Sequence, residues 1–220
     1  MLTAGVSDVQ LVIFAASLRE VAPLADIVLF VDDSRPDKAN RRDEIIERYG
    51  AIALKFDVEE LLPTFLRRYH PSSNRWVFIQ RFLEARGSDY ERVLMVDVAD
   101  TLFQANPFDV IGDPGVYTFV GDKPIGHSQE AVEAIAECLG PSSLSQVAEL
   151  PDAYTGITLG TTPYAAAYAS TMSERIQSVA LGECEKRAVD QGLHNILVHT
   201  GEVEGLLRFD LVSGPLVDVQ

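Results

Sequence analysis

The sequence predicts an α/β layered protein, and three observations carry that prediction. Residues 27–31 form an unbroken apolar run and residues 92–96 nearly so, as expected of strands buried on both faces. Segments with helical spacing alternate with these strands along the chain. The two clearest strands also run straight into acidic turns, one at Asp32 and one at Asp97.

Taken in order, Ser7 or Asp8 can cap a first helix whose apolar stripe is Val9, Val12, Ile13, Ala16 and Val21, and Pro23 ends it. The strand 27–31 finishes in the polar turn 32–36. Residues 38–48 permit a helix, Gly50 stops it, and 51–56 reads as a second strand. Ser73 or Asn74 caps a helix carrying Trp76, Ile79, Phe82 and Leu83 on one face, and Gly87 closes it. After the strand 92–96, residues 115–120 read as a strand, 130–139 as a helix and 140–143 as a break. A strand over 154–159 follows, and Thr162-Pro163 opens a helix to residue 181 with proline in its first turn. The last helix covers 185–198 and Gly201 stops it. With no repeat or linker to divide the chain, one domain over 1–220 is expected. The abrupt start and the unpunctuated tail leave both ends open to having been clipped.

Composition narrows the function classes. With 47% hydrophobic and 23% charged residues the chain has an ordinary globular balance. Its net charge of −15 repels polyanions, which argues against nucleic acid and anionic membranes as main partners. A phosphate ligand would need local cations or a metal ion. The longest apolar runs are far below the ~20 residues that span a bilayer, and the first five residues lack a signal-peptide pattern. Cys138 and Cys184 have no Cys-x-x-Cys spacing and read as two reduced, mostly buried thiols of a cytoplasmic protein.

Three constellations could carry chemistry. Asp97 and Asp100 follow a core strand at the sheet rim, where open α/β sheets gather ligands. They point apart if the strand continues and can meet if the chain turns after Asp97. Paired oxygens there suit Mg²⁺ or Mn²⁺; the plainer alternative is a turn cap that satisfies backbone N–H groups. A strand followed by Asp-x-Asp-x-Thr-Leu would mark a haloacid-dehalogenase-type phosphatase, but Ala99 occupies its acid/base position.

Asp190, Gln191, His194 and Asn195 share one arc of the last helix, either as a surface that reads hydroxyls or as a solvated face. Gly156 and Gly160 bracket a short apolar segment, which suits close ligand approach or a bulge. Arg75 and Arg81 are exposed helix arginines or diphosphate contacts. His70, His127 and His199 have no metal-ligand spacing, and Gly-x-Ser-x-Gly, Gly-x-Gly-x-x-Gly and P-loop patterns are absent.

Taken together and in order, these pieces resemble the nucleotide-diphospho-sugar transferases of the GT-A fold. The likeness runs through Tyr90, Val93, Leu94, Asp97, Asp100, Phe103, Gln104, Asn106, Pro107 and Phe108, with His70-Pro71 and Arg75 upstream. Downstream it continues in Thr155-Gly156, Gly160, Asp190-Gln191 and His194-Asn195. Ala99 stands where that pattern has an arginine.

The resemblance implies a Rossmann-like three-layer α/β/α domain with a mostly parallel mixed sheet. It implies transfer of a sugar from a nucleotide-diphosphate donor to a hydroxyl of a sugar, lipid or protein. Asp97 and Asp100 would hold Mn²⁺ or Mg²⁺, and Asp32, Arg75, Asp97, Gly156 and Gln191 would bind the donor. Asp190 would be the general base, with His194 and Asn195 on donor or acceptor hydroxyls. A non-catalytic nucleotide-sugar-binding domain of the same fold is the alternative, and a nucleotidyltransferase or phosphatase stands behind both.

Overall fold

The computed structural model of the chain describes residues 6–32, 39–56, 62, 66–179, 184 and 187–210. They are mixed α/β and fall into two units, Met1–Arg67 with Val96–Asp109, and Arg68–Met95 with Val110–Gln220.

In the first unit, α1 (Asp8–Val21) starts at Ser7, whose hydroxyl accepts from the Gln10 N–H while Gln10 Oε1 accepts from the Ser7 N–H. This reciprocal box settles the cap on Ser7. The buried stripe is Leu11, Phe14, Ala15 and Leu18, not the expected one: Val9 is 65% and Ile13 46% exposed. The helix is apolar on more than one side, and Phe14 decides which side turns inward. Its ring meets Phe103 edge-on at 5.3 Å, and burying such a ring is worth about 1.5–3 kcal/mol.

Strands β1 (Val28–Asp32) and β2 (Ile52–Phe56) pair in parallel, with Val28 opposite Ile52 and Asp32 opposite Phe56. Leu29, Phe30 and Val31 are all buried, as their unbroken apolar run requires. Between the strands lies α2 (Ala39–Arg48), which buries Ile45 and Ile46. Gly50, at φ +59°, turns the chain into β2. Arg19 locks that corner by donating to the carbonyls of Tyr49 (2.7 Å) and Gly50 (3.1 Å). The polar turn expected over 32–36 lies, beyond Asp32, outside the described residues.

In the second unit, β3 (Arg92–Val96), β5 (Pro151–Thr161), β4 (Val116–Pro124) and β6 (Leu206–Asp210) form one sheet in that order. β4 is antiparallel to β5 and parallel to β6. Tyr117 and Phe119 both stack on Phe209 at ring distances of 5.3 and 5.9 Å, which fixes the β4–β6 register from one face.

Helix α3 (Pro71–Arg86) packs on α6 (Thr162–Ser178) through the edge-on pair Trp76–Tyr168. Along α6, Ala165, Ala169, Met172 and Ile176 are fully buried at helical spacing. The cap of α3 is His70, whose Nδ1 accepts from the Ser72 N–H, with Pro71 at the first position. Ser73 and Asn74, the expected caps, lie inside the helix and are buried. The expected break at 140–143 is instead the start of α5 (Pro141–Val147), after α4 (Gln129–Cys138). Proline at a first helical turn reads as a start as readily as a break. Finally α7 (Val189–Thr200) stops at Gly201, φ +73°.

Candidate functional site

The first unit carries the acidic turn. After the buried end of β3 the chain turns at once, with Val98 tucked in at 2% exposure. Thr101 donates its hydroxyl to the Asp97 carbonyl (2.6 Å), and Gln10 donates its amide to the Ala99 carbonyl (3.3 Å). Asp97 and Asp100 therefore share one turn rather than opposite faces of a continuing strand. Asp97 is half-buried and Asp100 exposed. Asp32 ends β1 in the same unit, and its side chain lies outside the described residues.

The second unit holds the other nominated residues, and it holds them inward. Asp190, His194 and Asn195 are at most 1% exposed, so the α7 arc is not a solvated face. Asp190 Oδ1 accepts from the hydroxyls of Ser72 (2.9 Å) and Ser73 (3.3 Å), and Oδ2 accepts from Arg75 Nη2 at 3.1 Å. Arg75 also donates to the Thr155 carbonyl (3.2 Å) and lies over the Trp76 ring. The expectation of an exposed helix arginine is corrected, since Arg75 is 8% exposed; Arg81 is exposed as expected.

Gln191 and Asn195 grip β5. The β4–β5 register shifts between the pairs Thr118–Thr158 and Val120–Ala153, so β5 carries surplus residues around Thr155 and Gly156. The α7 amides meet the groups this irregularity leaves over. Gln191 Oε1 accepts from the Thr155 N–H (3.1 Å) and hydroxyl (2.7 Å), and its amide donates to the Ala153 carbonyl (2.6 Å). Asn195 Oδ1 accepts from the Ala153 N–H (2.8 Å) while Nδ2 donates to Asp152 (2.6 Å). Gly156 sits half-buried in this stretch.

His194 Nδ1 shares a hydrogen bond with the Tyr168 hydroxyl. Burial above all, with the charges of Arg75 and His199, pulls the imidazole down to about 3, so it is neutral at pH 7. Its Nε2 has no partner among the described residues.

The nominated residues thus form two sets: Asp97 and Asp100 on one turn, and Arg75, Asp190, Gln191, His194 and Asn195 in one buried network. Sequence reasoning missed Ser72, Ser73, Asp152 and Tyr168 as members of that network. Ser72-Ser73 directly after His70-Pro71 was the available signal. It also missed the bond between Cys138 and Cys184, which corrects the expectation of two reduced thiols.

Among the described residues no group of three or more His, Cys, Asp or Glu is placed to hold a metal ion, and no helix is long and apolar enough to cross a membrane. The donor set of the turn nevertheless fits Mg²⁺ or Mn²⁺ by its chemistry. Such ions take one or two carboxylates and complete their shell with water and substrate phosphates. No protein-family model matches the chain, and no curated protein matches it.

Proposed function

We propose that the chain is a GT-A-type transferase that moves a sugar from a nucleotide-diphosphate donor to an acceptor hydroxyl. One observation carries the reading: two carboxylates, Asp97 and Asp100, share the turn that leaves β3. Carboxyl ends of sheet strands are where open α/β folds bind ligands. The order of the motifs along the chain supports the same class.

Asp97 and Asp100 would hold Mn²⁺ or Mg²⁺. When bound, such an ion neutralises charge on the departing nucleoside diphosphate, which lets so acidic a chain take a polyanion. Asp32, in the same unit as Asp97 and Asp100, would meet the donor; Gly156 and Gln191 belong to the second unit, where the Gln191 amide already holds β5. In the conformation described, Arg75 and Asp190 hold each other, so their contribution is to position α7 against α3 and β5. As general base, Asp190 would have to exchange Arg75 and the two serines for the acceptor hydroxyl. His194 and Asn195 would orient hydroxyls only through the groups they already hold. We place the enzyme in the cytoplasm.

The burial of Asp190 in that ion pair favours a second reading, a nucleotide-sugar-binding domain without turnover. Release of nucleoside diphosphate from donor, in the presence of Mn²⁺ and without acceptor, separates the two. A transferase hydrolyses its donor slowly under these conditions. A donor that binds but releases no diphosphate over days would leave the binding domain standing.

A further inference from the structure

We propose that the Cys138–Cys184 disulfide is a redox control on the docking of α7. Cys138 is the last residue of α4, and Cys184 lies just before α7. Their Cα atoms are 5.6 Å apart. A line of bonds joins this bridge to the first turn of α7. The Arg187 N–H donates to the Cys184 carbonyl (3.3 Å), the Val189 N–H to the Arg187 carbonyl (2.9 Å), and the Gln191 N–H to the Ala188 carbonyl (3.2 Å). The Arg187 guanidinium returns to α4, reaching Glu133 at 2.7 Å and Glu137 at 2.6 Å.

That first turn depends on outside support. Its N-cap is Ala188, which offers no side-chain cap, and the N–H groups of Val189 and Gln191 are held instead by the carbonyls of Arg187 and Ala188, on the segment the bridge ties to α4. Yet the same turn presents Asp190 and Gln191 to α3 and β5. The helix is buried along its length, at Val189 and Asp190 as at Leu193, Leu197 and Val198, and its start differs in taking its capping carbonyls from the bridged segment. Opening the bond loosens that segment and with it the start of α7, ahead of the later turns.

Two features make the bond a control rather than a staple. A chain of this length buries enough surface to fold without cross-links, and Trp76, Tyr168, Met172 and Ile176 are fully buried on α3 and α6, while Cys184 is buried at 7% exposure just before α7. Cys138 is only half-buried, and the Arg187 ion pairs remain as a tether when the bond is open. This rests on the cytoplasmic placement proposed above, since in a reducing compartment protein disulfides are transient and redox-sensing rather than structural.

The exchange balances with a dithiol as reductant. One of its thiolates attacks Cys138 Sγ, the S–S bond breaks, and Cys184 leaves as a thiolate that takes up a proton. The second thiolate of the reagent then displaces Cys138, so the reagent becomes a disulfide and the protein gains two thiols.

Amide hydrogen exchange on the full chain tests this, before and after dithiothreitol, with alkylation to count free thiols. Residues 189–195 and 71–76 should exchange at least about tenfold faster after reduction, with α6 unchanged and reoxidation restoring protection. The C138S/C184S variant should show the fast exchange without reductant, and Arg187→Ala should add to it. Unchanged exchange in protein shown to be reduced would overturn the proposal. So would loss of α6 protection together with α7, failure of C138S/C184S to fold, or two free thiols in protein never exposed to reductant.

Discussion

At the scale of single residues, burial converts ordinary side chains into pH-sensitive ones. His194 titrates near 6.5 when unfolded and at about 3 when folded. Between those values the unfolded chain binds a proton that the folded chain refuses, so stability falls as pH drops. His199, lowered by burial, acts in the same direction. Urea denaturation should show a loss of about 2 kcal/mol from His194 between pH 7 and pH 5. The His194→Gln variant should flatten that slope, and an unchanged slope would contradict the burial account. The Arg75–Asp190 pair gives a second expectation. Asp190→Ala strands a guanidinium at 8% exposure and should cost about 3–5 kcal/mol, most of it recovered in the apolar double variant R75M/D190L. Chemical denaturation of the three proteins checks this, and a loss below 1 kcal/mol in the single variant would count against a tightly held pair.

Among elements, α7 is the one on which the second unit turns. Asn195 accepts from the buried Ala153 N–H at 2.8 Å, and removing that acceptor leaves the donor unpaired, so Asn195→Ala should cost about 1–3 kcal/mol by urea midpoint. Gly192 lets the same helix approach α4: a Cβ there would stand 3.0 Å from Ile135 Cγ1 and 3.3 Å from Leu139 Cδ1. Overpacking of about 1–3 kcal/mol should outweigh the roughly 1 kcal/mol that alanine gains in helix propensity, so Gly192→Ala should lower the melting temperature. The periodicity of the sequence revealed which α7 residues share an arc. It could not reveal that β5 covers that arc, because register irregularities such as the one around Thr155 leave no periodic trace. A long-range contact likewise decides which stripe of α1 is buried. Its apolar residues support two faces, and only the distant Phe103 selects between them.

The whole molecule was legible where a local signal sufficed. The strand 92–96 and the Gly201 stop stand as read, and Ser7 is one of the two caps the sequence offers, because cap chemistry and apolar runs act over a few residues. Pairing between distant segments was not legible: the Cys138–Cys184 bond spans 46 positions, and the four-stranded order β3-β5-β4-β6 mixes strands from across the chain. The proposed function rests at this scale on the acidic turn. Asp100→Asn should leave the fold intact, since Asp100 is exposed and the turn is held through backbone carbonyls; circular dichroism checks the fold of Asp97→Asn alongside it. The most direct measurement is equilibrium binding of UDP-, GDP-, ADP- and CDP-sugars to the native chain and both variants, each with and without Mn²⁺. The account predicts that one donor binds only with Mn²⁺ and that each variant weakens it more than about tenfold, by the loss of a charged contact. Folded native protein that binds none of these donors, or variants that bind as tightly as the native chain, would contradict it.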